Sequence, residues 1–288
     1  MSQDRLDASL EIDRAQTIDI VRVIQAQDAL IASAVAAQAE RIAHAIDEIT
    51  ERLKHGGYLF YAGAGTSGRI AMLDASELPP TYGTDPSLVR VLMAGGEHAF
   101  TGAVEGAEDD EDAAIEIVSA EVKADDAVVG IAASGTTPYT VAAVRRANML
   151  GALTVGITSA PNSPLARDVD IPIVVETGPE VIMGSTRMKS GTAQKLVLNT
   201  ISTGVMIRLG RVYSNLMIDM PATNEKLRNR AVRMVELAAG VLRPIAVQAV
   251  RDADGNVKVA TIIAKKRVSA DEARRLLGER SLREVLEQ

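Results

Sequence analysis

Five short apolar runs, separated by helical stretches, restrict this chain more than any other feature does. They are Tyr58 to Ala62, Leu88 to Ala94, Ala127 to Ala132, Leu153 to Thr158 and Ile171 to Val175. A run without polar alternation suits a strand buried on both faces, as in a parallel sheet. The helical spacing between the runs is clearest at Ala113–Val122 and Tyr139–Leu150, and strand alternating with helix predicts an α/β domain. In such sheets ligands bind beyond the carboxyl ends of the strands.

The flanks read as helical. Between Thr17 and Leu53, apolar residues such as Ile18, Val21, Ile24, Ile31, Ile42, Ile46 and Ile49 recur three and four apart, until Gly56-Gly57 ends the pattern. Ser190 to Leu209 predicts one long helix stopped by Gly210, and Asn224 to Gly240 a second. Ser269 and Glu272 form a capping box ahead of a further helix. The expected plan is an N-terminal helical segment over 1–56, a binding domain over 57–222 and a C-terminal helical region over 223–288.

Composition narrows the partners. Aromatic residues are only 2% of the chain and the net charge is −7, so neither stacking platforms nor a basic stripe for nucleic acid is present. No cysteine exists to form disulfides, thiolate metal sites or a thiol nucleophile. The start, MSQDRLDASLEIDR, lacks the apolar core of a signal peptide, and no apolar run is long enough to span a membrane. The chain reads as cytoplasmic, with no nucleic-acid or membrane partner.

Three loops rich in glycine and hydroxyls fit an anion. The first runs from Ala62 to Arg69, with Gly65, Thr66 and Ser67 at the start of an expected helix. Glycine permits a sharp turn, and a helix start presents amides and positive potential to phosphate. The second holds Ser134, Gly135, Thr136 and Thr137 ahead of Pro138, a residue suited to a first helical turn. The third spans Gly184 to Thr192 and offers Ser185, Thr186 and Lys189. Any one of these alone reads equally well as a helix cap or an anion site, but three together predict a shared anion pocket. Gly63, Gly65 and Gly68 also spell a dinucleotide fingerprint. The acid that should close the second strand is missing there, and the hydroxyls suit a terminal phosphate better.

Among the carboxylates, Glu77 precedes Pro79-Pro80, which are expected to stop its helix and leave it near the pocket. Glu105 and Glu108 stand three apart in an acidic stretch read mainly as a solvated helix start. Glu180 is a candidate for the pocket rim. The histidines, His44, His55 and His98, have no metal-site spacing, so no metal is expected.

The strings GAGTSGR, LDASELPPTYG, AGGEHAF, AVEGAEDDEDA, GIAASGTTPY, GPEVIMGSTRMKSGTAQKLVLN, STGVMIRLGRVYSNLMIDM and ATNEKLRNRAVRMV occur in order between Ile12 and Leu237. Together they resemble the N-acetylmuramic acid 6-phosphate etherase family. That resemblance implies a three-layer parallel-sheet sugar-isomerase (SIS) domain with N-terminal helices and a small, UBA-like C-terminal helical domain. It implies a homodimer that binds a phosphorylated amino sugar and uses no metal or organic cofactor. It further implies cleavage of a D-lactyl ether, with Glu77 as acid/base and Glu108 as second catalytic glutamate. A non-catalytic sugar-phosphate regulator and an aldose–ketose isomerase are the alternatives on the same fold. The chain departs from the family in its opening residues and at Thr136, where an arginine is usual.

Overall fold

The computed structural model describes residues 4–287. Five strands form one parallel sheet: β1 (Leu59–Gly63), β2 (Val89–Met93), β3 (Ala127–Ile131), β4 (Leu153–Thr158) and β5 (Ile171–Val174), in the order β2-β1-β3-β4-β5. All five fall within the predicted apolar runs or a residue beyond them. β1, β3 and β4 are buried along their whole length, which is why their sequences show no polar alternation.

The helices are α1 (Thr17–Asp28), α2 (Ile31–Ala36), α3 (Ala39–Lys54), α4 (Gly65–Tyr82), α5 (Glu111–Glu121), α6 (Pro138–Met149), α7 (Pro164–Arg167) and α8 (Lys189–Arg208). After them come the hairpin β6 (Val212–Tyr213) and β7 (Leu216–Met217), then α9 (Glu225–Ala239), α10 (Arg243–Asp252), α11 (Val257–Lys266), α12 (Ala270–Glu279) and α13 (Leu282–Glu287). Two compact units are distinguished. One takes the chain up to Ala75 with Ser87–Val205; the other takes Ser76–Pro86 with everything from Met206.

In the first unit the period-2 geometry of the strands divides the side chains between two faces. Phe60, Ala62 and Val128 pack with Val118, Val144 and Leu165, so α5, α6 and α7 cover one face. Gly130 lies on that face because an added Cβ would stand 2.5 Å from a Val144 methyl and 3.0 Å from Leu165. On the other face, the Tyr61 hydroxyl donates to Asp74 of α4 at 2.9 Å. Asp74 also accepts from Asn199 and Ser202 of α8, and α3 packs beside β4 and β5. This is a three-layer arrangement. Burial of each large aliphatic side chain contributes about 1.5–3 kcal/mol. The predicted N-terminal helical region is three helices, of which α3 buries Ile42, Ala45, Ile49 and Leu53 while α1 buries no residue.

The second unit builds its own aliphatic core from Ile218, Met220 and one face each of α9 to α13. Local chemistry sets its helix ends. Asn224, Asn256 and Ser269 accept hydrogen bonds from the amides three residues on, and Gly240 closes α9 in the left-handed region. The capping box expected at Ser269 is present on its serine side, Glu272 N donating to Ser269 Oγ at 3.3 Å.

One expectation fails. Pro79 and Pro80 do not stop α4, which runs on to Tyr82 and is closed by Gly83 N donating to Pro79 O at 2.9 Å. Proline removes an amide and crowds the preceding turn, and both residues already lie in the last turn, where few hydrogen bonds remain to lose. Leu78, immediately before the two prolines, is buried at 3% exposed.

Candidate functional site

β1 and β3 are neighbours, and their last residues, Gly63 and Ile131, are register partners. The loops that follow therefore leave the carboxyl edge of the sheet side by side. The strand order reverses at this point, since β2 lies to one side of β1 and β3 to the other. Such a switch point is where open α/β sheets hold ligands.

The first loop turns directly into α4. Gly65 has φ +52°, in the left-handed region that favours glycine. Gly68 is required by packing, because an added Cβ would stand 2.1 Å from Met93 Sδ and 2.9 Å from Gly63 O. The fingerprint glycines thus serve the tight junction of β1, β2 and α4. Thr66 and Ser67 are half-buried in the first turn, whose leading amides have no partner within the helix. Ser67 Oγ donates to Gln194 Oε1 of α8 at 3.0 Å.

In the second loop Gly135 has φ +66°, and a Cβ there would collide with Ser163. Ser134 Oγ accepts from Thr136 N at 3.2 Å and from Thr136 Oγ1 at 3.0 Å, so its own proton is available to a ligand. Thr136 is exposed, Thr137 half-buried, and Pro138 opens α6 as expected.

The third loop reaches the first through α8. Gly191, in the first turn of α8, faces the Thr66 methyl, and a Cβ built on it would stand 3.7 Å from that methyl, an ordinary van der Waals distance. Its amide donates to Thr186 O at 3.0 Å, which fixes the half-buried Ser185-Thr186 turn against the start of α8. Glu180 is wholly buried, and its two oxygens accept from Lys189 N and Ser190 N at 3.0 Å each. A carboxylate at a helix start is held by both hydrogen bonds and dipole. Lys189 is 2% exposed and its Nζ donates to Gln27 Oε1 of α1 at 2.9 Å. Burial lowers its ammonium pKa from the ordinary value, while Glu180 and Asp28 oppose that shift.

Loop one meets α8 through Ser67 and Gln194, and loop two emerges beside loop one. The two candidate catalytic carboxylates are exposed: Glu77 on α4, and Glu108 in a 3-10 turn over Ala107–Asp109. Arg69 ties the segment ahead of that turn, donating from Nη2 to Gly102 O at 2.6 Å and from Nε to Phe100 O at 3.3 Å. A cleft of 560 Å³ opens beside the turn, lined by Met93, Gly95, Val104, Glu105, Asp110 and Tyr139. Burial, with a contribution from Asp110, pushes the Tyr139 hydroxyl up to about 12.

Sequence reasoning missed Gln194, Arg69 and the buried Asp74. The only signal for the first was its place one helical turn after Ser190, inside the quoted SGTAQK string. Among the described residues no group of three or more His, Cys, Asp or Glu gathers as metal ligands.

A parallel sheet with anion-ready loops at its switch point is the architecture of the SIS class. Residues 103–203 match the SIS domain model, and residues 41–148 match the model of the glucokinase regulatory protein N-terminal SIS domain. A phosphoheptose isomerase from Francisella tularensis shares the fold at TM-score 0.55 and 21% identity, over 67% of this chain and 100% of that one. An N-acetylmuramic acid 6-phosphate etherase of Symbiobacterium thermophilum is 54% identical over 91% of this chain and 87% of its own. A second, from Caldanaerobacter subterraneus subsp. tengcongensis, is 49% identical over 96% and 91%. The chain belongs to the N-acetylmuramic acid 6-phosphate etherase family.

Proposed function

We propose that this enzyme cleaves the D-lactyl ether of N-acetylmuramic acid 6-phosphate, giving N-acetylglucosamine 6-phosphate and D-lactate in the recycling of cell-wall amino sugars. The observation that carries the reading is the 54% identity to an etherase over nearly the whole of both chains. In this reading the phosphate is bound by the first turn of α4 with Thr66 and Ser67, and by Ser134, Gly135, Thr136 and Thr137. Ser185 and Thr186 flank it, with Lys189 and Glu180 fixing the turn.

Ring opening exposes an aldehyde that acidifies the C2 hydrogen. Glu77 removes that proton as general base. The C2–H and C3–O bonds break, a C2=C3 double bond forms, and Glu108 protonates the departing lactate oxygen. Water then adds in reverse, its hydroxyl to C3 and a proton to C2. The sum is hydrolysis of the ether, with no oxidant and no cofactor consumed.

A cytoplasmic homodimer is part of the proposal. Among the described residues no single helix is long and apolar enough to cross a membrane. α1 buries nothing, yet Ile18 and Val21 are apolar and exposed, and a groove lined by Val35, Ala39, Ala43, Ile46 and Leu196 stands open. A second copy covering these surfaces accounts for their chemistry.

The test is turnover in heavy-oxygen water. Elimination and addition places the label in the C3 hydroxyl of the sugar and leaves D-lactate unlabelled. Label in lactate, or no lactate at all, rejects this function.

A further inference from the structure

We propose that Gln194 is a positioning residue whose carboxamide turns over when phosphate binds and thereby aims the Ser67 hydroxyl proton at the anion. The inference rests on the phosphate site proposed above. A serine hydroxyl has one proton and two lone pairs. Ser67 Oγ lies 3.0 Å from Gln194 Oε1, so in this state its proton is committed to the glutamine. Ser67 then offers only lone pairs to the pocket, which repel a phosphate oxygen. Gln194 itself is 3% exposed, and its Nε2 is a buried donor with no partner among the described residues. Buried polar groups are nearly always paired, so the orphan donor means that Ser67 alone sets the orientation of this carboxamide among the described residues.

A second arrangement needs only a half-turn of the side-chain amide, since its oxygen and nitrogen have nearly the same shape. Nε2 then donates to Ser67 Oγ and the Ser67 proton is released to the ligand. Before binding, the amide oxygen holds the proton; after binding, the anion and the α4 amides favour the turned form. The phosphate and the amide orientation are linked, and each shifts the other.

Affinity for inorganic phosphate and for N-acetylglucosamine 6-phosphate, measured by calorimetry, reads this without turnover. Gln194→Glu keeps the shape but supplies acceptors only, so phosphate affinity should fall at least tenfold near neutral pH. The deficit relative to the parent should shrink on acidification, as the protonated carboxyl regains a donor for Ser67. It should also shrink in a Ser67→Ala background, where simple charge repulsion would persist unchanged. In the parent, the Gln194 side-chain amide resonances, assigned by their loss in Gln194→Met, should shift saturably with phosphate. This readout stands even where the glutamate variant does not fold. Unmoved amide resonances in a phosphate-saturated parent overturn the inference alone, as does a Gln194→Glu deficit that persists undiminished in Ser67→Ala. A parent that binds no phosphate overturns both this inference and the site beneath it.

Discussion

The two serines at the sheet edge differ in what their protons are doing. Ser134 accepts twice from Thr136 and keeps its proton for a ligand, whereas the Ser67 proton is held by Gln194. Changing either to Ala should weaken sugar-phosphate binding by about 1–3 kcal/mol, read by calorimetry. A full-strength Ser134→Ala variant would remove the second loop from the site. Tyr139 carries a pH prediction. Its pKa is raised from 10.0 to about 12, so the unfolded state loses the proton first as pH rises. The stability it contributes is complete below pH 10 and is lost progressively between 10 and 12. Tyr139→Phe should flatten that part of the alkaline unfolding profile measured in urea. The two hydroxyl-rich loops at the sheet edge were legible because Gly, Ser and Thr cluster in sequence directly after β1 and β3. Gln194, Arg69 and Asp74 were not, because each meets its partner from a different helix or loop, and helical spacing alone does not say which face meets which loop. Glu180 stood out as acidic beside a loop, and the fold buries it as the cap of α8.

At the scale of elements, the strands were readable because burial on both faces leaves an uninterrupted apolar run. The ends of α6, α9 and α12 were readable because Pro138, Asn224 with Gly240, and Ser269 have local capping chemistry. The course of α4 was not. Proline is disfavoured inside a helix, but near its end few hydrogen bonds remain to lose, and Leu78 is buried at the same turn. The length of α8 depends on its start, where one carboxylate accepts from two successive amides. Glu180→Gln preserves the shape and replaces one acceptor with an NH2 group facing a backbone N–H. The expected loss is about 1–3 kcal/mol in chemical denaturation, with weakened phosphate binding because the Thr186–Gly191 turn loosens. An unchanged unfolding midpoint would show that α8 does not need the charge.

For the whole molecule, assembly and reaction order are the quantities to measure. Ala43 lines the open apolar groove, so Ala43→Glu places a charge where a second copy is proposed to dock. Light scattering should report a dimer for the parent, as proposed, and a monomer for this variant, and a parent that scatters as a monomer removes the dimer from the reading. The proposed reaction separates into proton removal at C2 and departure of lactate at C3, and the proposal assigns the first step to Glu77 and the second to Glu108. Glu77→Gln keeps the size and hydrogen-bonding reach of the side chain but accepts no proton. General acid–base catalysis contributes about 10²–10⁴-fold, so lactate release should fall by that factor while sugar-phosphate affinity stays close to the parent's. Exchange of the C2 hydrogen with heavy water should vanish with it. Glu108→Gln should slow lactate release and yet leave C2 exchange measurable, because the base remains while the leaving oxygen has lost its acid. Parent-rate lactate release from Glu77→Gln would remove that carboxylate from the mechanism. Loss of exchange in Glu108→Gln, with exchange retained in Glu77→Gln, would reverse the two roles.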